Sequence, residues 1–319
     1  MAIAADAPTA AAIGVDVGGT KTLAVLVDGS GAVHAEARAP TPDDGDALLD
    51  AIAELVAEIR PRTPAIGIGV GAPGLVDASG TLRFAPNLPA VRDLGVRAGL
   101  EARVPGSWVR VGNDATCAGW AERVLGAARG HDHVLMVTLG TGIGGGIVAG
   151  GRLIEGVNGF AGECGHMVVD RNGPRCPCGK QGCWERFASG TGLARLGREA
   201  AEAGEASRIV SLAGGAIGAV RGEHVTAAAA EGDPEALAVM ARFAWWLGLG
   251  LANLANIFDP ESIVIGGGLI GAEVAFLQPV REAFDDLVEA GPDRPPIAIL
   301  AAELGERAGA IGAALLAQV

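Results

Sequence analysis

The sequence predicts an α/β protein of two domains, and three observations predict it. The chain of 319 residues exceeds one ordinary core and suits two domains of about 150 residues each. A run of β-β-β-α-β periodicity opens at residue 13 around a glycine turn, and a second strand–glycine-turn–strand device follows more than a hundred residues later. Two such domains imply a cleft between them.

The elements justify this in order. Ile13 to Val17 is an apolar run ending in GGTK, and Leu23 to Val27 resumes it before Asp28-Gly29-Ser30-Gly31, which reads as a hairpin. Val33 to Arg38 is a third strand. From Asp46 to Ile59 apolar residues recur at helical spacing, with Pro61 as the stop, and Ile66 to Val70 is a buried strand. This order is the pattern of an actin-like nucleotide-binding lobe rather than a Rossmann βαβ unit. The expected fold class is therefore a two-domain actin-like ATPase (ribonuclease H-like) α/β fold with an interdomain cleft. Trp108 to Val111 is a strand and a helix starts at Ala115. Val134 to Thr138 and Ile147 to Val148 flank the second glycine turn, and Asp233-Pro234 opens a long helix through Asn253. Ile263 to Ile265 runs into three glycines, and a helix from about Arg307 to Ala317 closes the chain. The expected organisation is a disordered tail at 1–12, a small lobe of 13–112 plus 305–319, and a large lobe of 113–304 carrying a cysteine loop.

Composition excludes several classes. Half of the residues are apolar, yet Gly, Pro and charges break every run short of the roughly 18 residues of a membrane span. MAIAADAPTAAA has no basic start and no apolar block, so no secretory signal is expected and the compartment is expected to be cytoplasmic. A net charge of −13 argues against nucleic acid or an anionic membrane as partner. It does not exclude a nucleotide, because backbone N–H groups at glycine turns supply local positive potential, and the chain has 51 glycines.

Three glycine turns are candidate phosphate or nucleotide contacts. In Asp16-Val17-Gly18-Gly19-Thr20-Lys21 a carboxylate ends a buried strand, the glycines let backbone approach an anion, and Thr20 adds a hydroxyl. Leu139 to Gly146, with Thr141 and Gly142, repeats that chemistry. Gly266-Gly267-Gly268 could let a base or ribose lie against backbone, or simply make a tight strand-to-helix connection. Asp114, just after a strand, suits a general base that takes a hydroxyl proton, though taken alone the residue better suits a helix N-cap; Asn113 beside it can donate and accept. His166, Cys176, Cys178 and Cys183 form a complete closed tetrahedral zinc set, which points to a structural Zn²⁺ knitting a loop poor in apolar residues. Cys117 and Cys164 read as packed thiols. Glu163 and Glu185 flank that loop and, with His166, suit the holding of polyol hydroxyls.

At DVGGTK, GNDA, TLGTGIGGGI, ECGH, CPCGKQGC followed by WE, and IVIGGG, the chain resembles the ROK family (repressors, open reading frames and sugar kinases) from Ile13 to its last helix. Within that family it looks nearest to the ATP-dependent glucokinases of actinobacterial type. The resemblance implies an ATP:hexose 6-phosphotransferase with Asp114 as catalytic base and Asp16 near Mg²⁺ and the phosphates. It places Gly18, Gly19, Thr20, Thr141 and Gly142 around MgATP and zinc on His166, Cys176, Cys178 and Cys183. It implies sugar contacts from Asn87, Asn113, Asp114, Glu163, His166 and Glu185, with Gly71 to Gly74 as a turn beside them. A homodimer or homotetramer is expected, either from the resemblance or from the apolar stretch Phe243 to Leu247, which core burial also explains. Two other readings stand beside glucose phosphorylation: a kinase for N-acetylmannosamine or another hexose, and a sugar-sensing protein without turnover. A repressor is not expected, since about a dozen residues precede the first strand, too few for a DNA-binding module. A polyphosphate-using relative is disfavoured by the cysteine cluster.

Overall fold

A computed structural model describes residues 11–60, 66–269 and 277–318. Most of the expected tail (1–10) and the expected stop at Pro61 lie outside the described residues. Contacts divide the chain into two units: residues up to 132 with 146–162 and 303–319, and residues 133–145 with 163–302.

The first unit opens with β1 (Ala12–Val17), β2 (Lys21–Val27) and β3 (Val33–Pro40), followed by α1 (Gly45–Ile59), β4 (Gly67–Ala72), the short strands β5 (Leu75–Val76), β6 (Thr81–Phe84) and β7 (Arg92–Gly95), α2 (Val96–Arg103), β8 (Trp108–Asn113) and α3 (Asp114–Val124). Its main sheet has the order β3-β2-β1-β4-β8, antiparallel across β1–β2–β3 and parallel across β1–β4–β8. The strands form where apolar residues run together. Ile13, Val15, Ile68 and Val70 are buried on a core shared with Leu48, Ile52 and Val56 of α1. Asp44 starts α1 by accepting from Ala47 N–H at 3.0 Å. β5, β6 and β7 make a separate three-stranded sheet that the sequence reading did not identify, because each strand is too short to show a period.

The chain then runs through β9 (Val134–Leu139), β10 (Ile143–Ala149) and β11 (Arg152–Leu153), α4 (Glu185–Ala188), α5 (Gly190–Glu202), α6 (Ser207–Leu212), α7 (Gly222–Ala230), α8 (Pro234–Phe258), β12 (Ser262–Gly266), α9 (Leu277–Leu287), β13 (Ala298–Ala301) and α10 (Ala308–Ala317). In the second unit β9, β12 and β13 are parallel neighbours, with Val264 of β12 between Met136 and Leu300. The plan of the first sheet thus recurs: a hairpin-forming first strand, then parallel strands added on its other side. Asp233 caps α8 by accepting from Ala236 N–H at 2.9 Å, with Pro234 in the first turn. By length and composition α8 alone among the described residues could cross a membrane, but half of that stretch is buried inside the protein, including Phe243, Leu247 and Leu251. Of the aromatic stretch, Phe243 is core, Trp246 stacks on Phe187 with ring centroids 4.1 Å apart, and Trp245 is 43% exposed.

Where the sequence reading assigned α3 to the large lobe, it packs in the first unit. Ala121 shares a core with Ala310, Ile311 and Ala314 of α10, and Cys117 packs on Ala313 and Leu316. The first division therefore falls after Asp132 rather than at 112/113, and residues 146–162, expected in the large lobe, also belong to the first unit. The reason is the small-residue composition of α10. Cβ atoms on Gly14 or Gly69 would stand 1.8 Å from the carbonyl oxygens of Ala310 and Ala313, and one on Gly312 would stand 1.8 Å from that of Cys117. Sheet, α10 and α3 touch through backbone, and only glycine permits it.

Candidate active site

In the first unit the β-sheet register builds the site. Asp16 of β1 lies opposite Gly71 of β4, and Gly71 lies opposite Gly112 of β8, so Asp16, the turn after β4 and the β8–α3 junction share the C-terminal edge of the parallel strands. That edge is where open α/β sheets place ligands. Gly71 is a glycine because a Cβ there would come 3.3 Å from Asp114 Cα, and Gly74 because its φ is +79°.

Asn113, not Asp114, is the N-cap of α3. Its Oδ1 accepts from Thr116 N–H at 3.0 Å while its Nδ2 donates to the Gly74 carbonyl at 3.1 Å. Asn113 thus joins the 71–74 turn to α3, which leaves Asp114 as the first helical residue with a different task. One Asp114 oxygen accepts from Ala115 N–H at 2.8 Å. Burial pushes the Asp114 carboxyl up to about 6, against the pull of backbone donors. Burial, with the neighbouring Asp114 charge, pushes Asp16 up to about 7, and Lys21 opposes this. Asp16 is backed by Gly309, where a Cβ would stand 2.8 Å from its carboxyl carbon. Two acids that resist ionising side by side form a site for a proton or for a cation.

The Gly18–Thr20 turn is held from below. Gly18 N–H donates to Lys21 O at 3.0 Å, Thr41 Oγ1 donates to Gly18 O at 2.8 Å, and Thr41 N–H donates to Thr20 O at 3.1 Å. Thr22 Oγ1 meets Thr41 Oγ1 at 2.9 Å. Gly19 and Thr20 are exposed at the tip, and Asn87 lies beside Gly19, where a Cβ would come 3.2 Å from Asn87 Cβ. Lys21 points elsewhere: its Nζ binds Glu306 at 2.7 Å. Sequence reasoning missed Thr41, since a threonine at a strand end carries no local signal of the turn it braces.

In the second unit the Gly140–Gly142 turn is tied to the start of α5. Gly140 O accepts from Gly190 N–H at 2.8 Å, and Thr141 O accepts from Thr191 Oγ1 at 2.8 Å. Gly142 leaves space for Glu185, whose Oε2 would lie 2.4 Å from a Cβ there. In the third turn Gly267 has a φ of +95° and lies against Leu139, while Gly266 ends β12 and Gly268 faces open space. Gly267 is therefore required by the strand-to-turn connection itself.

His166, Cys176, Cys178 and Cys183 converge, their ligand atoms all within 4.8 Å of one another. Cys176 Sγ is 3.8 Å from His166 Nδ1, and Cys178 Sγ is 3.5 Å from Cys183 Sγ. Donors on a tetrahedral metal with bonds of about 2.3 Å stand about 3.8 Å apart, so the cluster fits such an ion. The other imidazole nitrogen, Nε2, faces Glu163 Oε2 at 3.8 Å, and Glu185 Oε1 lies 3.8 Å from Nδ1. Cys176 Sγ donates to Glu185 Oε1 at 3.0 Å, and burial with that contact pushes the Cys176 thiol far up, a proton a bound metal must displace. The loop is anchored at its end by Trp184, fully buried, whose Nε1 donates to Trp246 O at 2.8 Å. Cys164 packs against Gly144 O at 3.9 Å and burial pushes its thiol up to about 12; Cys117 is buried among Gly71, Gly112 and Gly312.

Two α/β units of repeated plan, each with a glycine turn at its leading hairpin, define the actin-like ATPase fold as sugar kinases use it. The profile of the ROK family matches residues 12–319, and the chain belongs to that family. Its sequence is 40% identical over 309 residues to the glucokinase of Streptomyces coelicolor, covering 96% of this chain and 97% of that protein. It is 37% identical over 309 residues to the glucokinase of Thermotoga maritima, covering 95% of each. Among solved structures it resembles a ROK family glucokinase from Streptomyces griseus in complex with glucose and AMPPNP, with a TM-score of 0.85, 41% identity, and coverage of 97% of this chain and 99% of that one.

Proposed function

We propose that the chain transfers the γ-phosphoryl group of MgATP to the 6-hydroxyl of glucose, giving glucose 6-phosphate and ADP. The observation that carries this reading is near full-length similarity to glucokinases, one of them solved with glucose and a nucleotide analogue, in a chain that keeps Asp114 at the start of α3. Asp114 accepts the hydroxyl proton as the sugar oxygen bonds to the γ-phosphorus and the bond to the β-phosphate oxygen breaks. Its pKa, pushed up to about 6 by burial, leaves it ionised yet basic near neutrality.

Asp16 is the residue we assign to Mg²⁺, whose charge would neutralise phosphate oxygens and relieve the repulsion between Asp16 and Asp114. Gly18, Gly19 and Thr20, and in the second unit Thr141 and Gly142, are assigned to phosphates through backbone N–H and hydroxyl donors. Hydroxyl recognition is assigned to Asn87, Glu163, His166 and Glu185, with Asn113 acting chiefly through its hold on Asp114. We assign a structural Zn²⁺ to His166, Cys176, Cys178 and Cys183; it would fix the imidazole through Nδ1 and leave Nε2 to a ligand. A soluble, cytoplasmic homo-oligomer in carbohydrate metabolism is part of the same proposal.

The test is a coupled ADP-release assay with MgATP against glucose, N-acetylmannosamine, N-acetylglucosamine, fructose, mannose and allose. We expect turnover on glucose, reduced about 10²–10⁴-fold in Asp114→Asn while sugar affinity persists. Turnover on another sugar alone corrects the substrate, and none on any sugar overturns the kinase reading in favour of a sensor.

A further inference from the structure

Glu122 lies in α3 two turns beyond Asp114 and is fully buried. Its partners are backbone N–H groups. Oε2 accepts from Ala127 at 2.9 Å and from Glu303 at 3.2 Å, and Oε1 accepts from Leu304 at 2.9 Å. Its neighbour Arg123 donates from Nη2 to Asp132 Oδ1 at 2.9 Å and from Nε to His131 O at 3.2 Å. These partners are not scattered. The chain passes between the units four times, at 132/133, 145/146, 162/163 and 302/303, and these partners flank the first and the last passage.

The residues on the far side of these two crossings are held within the second unit. His133 N–H donates to Glu261 Oε2 at 2.9 Å, and its carbonyl accepts from Glu261 N–H at 2.9 Å. Ala302 N–H donates to Ile265 O at 2.9 Å. Each of these two crossings, 132/133 and 302/303, is thus a single peptide link between two fixed residues. A buried carboxylate holding several N–H groups is a strong anchor, because its loss leaves those donors without a partner in a dry environment.

We infer that Glu122 and Arg123 are positioning residues: adjacent on α3, they hold the first and the last of the four chain crossings and tie them to the helix that begins at Asp114. Any hinge movement at these crossings is confined to the backbone torsions of residues 132–133 and 302–303, and its first-unit end is fixed to the helix bearing the proposed base. The kinetic part of this inference rests on the phosphoryl transfer proposed above.

The test uses the full chain with Glu122→Gln, and with Gly126→Ala, whose Cβ would stand 2.0 Å from Glu122 Oε2 and displace it. Val239→Ala, in the core of α8, is the comparison for a general loss of stability. We expect amide hydrogen exchange at 303–304 to rise at least about ten-fold in both α3-region variants, with β1 and β4 unchanged. At temperatures where all proteins are folded, kcat should fall at least about ten-fold and KM should move with it, while the low-pH limb stays where it is. Val239→Ala should melt earlier with kcat and KM unchanged. Unchanged exchange at 303–304, or kinetics like those of Val239→Ala, overturns the inference. A wild-type chain without sugar-dependent ADP release overturns the kinase reading instead, and exchange at the crossings then decides the anchoring by itself.

Discussion

At the scale of single residues, the division of labour between Asn113 and Asp114 is the central feature. The amide takes the capping position and both of its polar ends are used, so the carboxylate is released from a structural duty. The pH dependence follows from the Asp114 value of about 6. The base must be ionised, and so must Asp16, pushed up to about 7, to hold a cation; kcat/KM should therefore begin to fall near pH 7 and drop at least ten-fold per unit below about pH 6. A flat profile from pH 5 to 8 would exclude Asp114 as the base. Lys21, by contrast, is 56% exposed and engaged by Glu306, whose other oxygen binds Arg38 at 2.6 Å. Such exposed pairs are weak, so Lys21 remains available to a phosphate at small cost.

Secondary-structure elements are decided by what they must approach. α10 lies on β1 and β4 through glycines, and this contact carries both Asp16 and the packing of α3. Gly69→Ala inserts a methyl group 1.8 Å from a backbone oxygen, where neither partner is a movable side chain. We expect it to cost about 3 kcal/mol or more, read as an earlier thermal midpoint. The cysteine loop has the opposite character, with exposed residues at 177–181 and only two isolated bridges, Val168 with Cys183 and Arg175 with Gln181. Its order should depend on metal. Elemental analysis should give one zinc per chain, and removal by a chelator or by Cys178→Ser should lower the midpoint by at least roughly 5 °C.

For the whole molecule, the net charge of −13 means that anionic ligands must be held by local backbone potential rather than by the general field. Nucleotide that binds only the folded chain should stabilise it by about 2.7 kcal/mol at a concentration 100 times its Kd, and the midpoint should rise with concentration. An unchanged midpoint at millimolar MgATP would contradict nucleotide binding. The gain should vary little with ionic strength, because short backbone contacts are screened less than surface charges.

The local devices are legible in short stretches of the chain. The glycine turns, the β1–β2 hairpin, the one histidine and three cysteines within eighteen residues that we assign to a metal, and the Asp233-Pro234 start of α8 are all set by residues close in the chain, whose backbone preferences need no distant partner. Family membership was legible for the same reason, since it rests on short motifs in order. It takes the folded chain to show that α3 packs with α10 in the first unit, that Asn113 rather than Asp114 caps α3, that Thr41 braces the first turn, and that Glu122 holds Glu303 and Leu304. Each of these joins residues distant in sequence, by a buried hydrogen bond or a backbone approach. Such pairings leave no periodicity to read; a buried glutamate in a helix has the same local pattern as a solvated one until its partners arrive from 181 and 182 residues away.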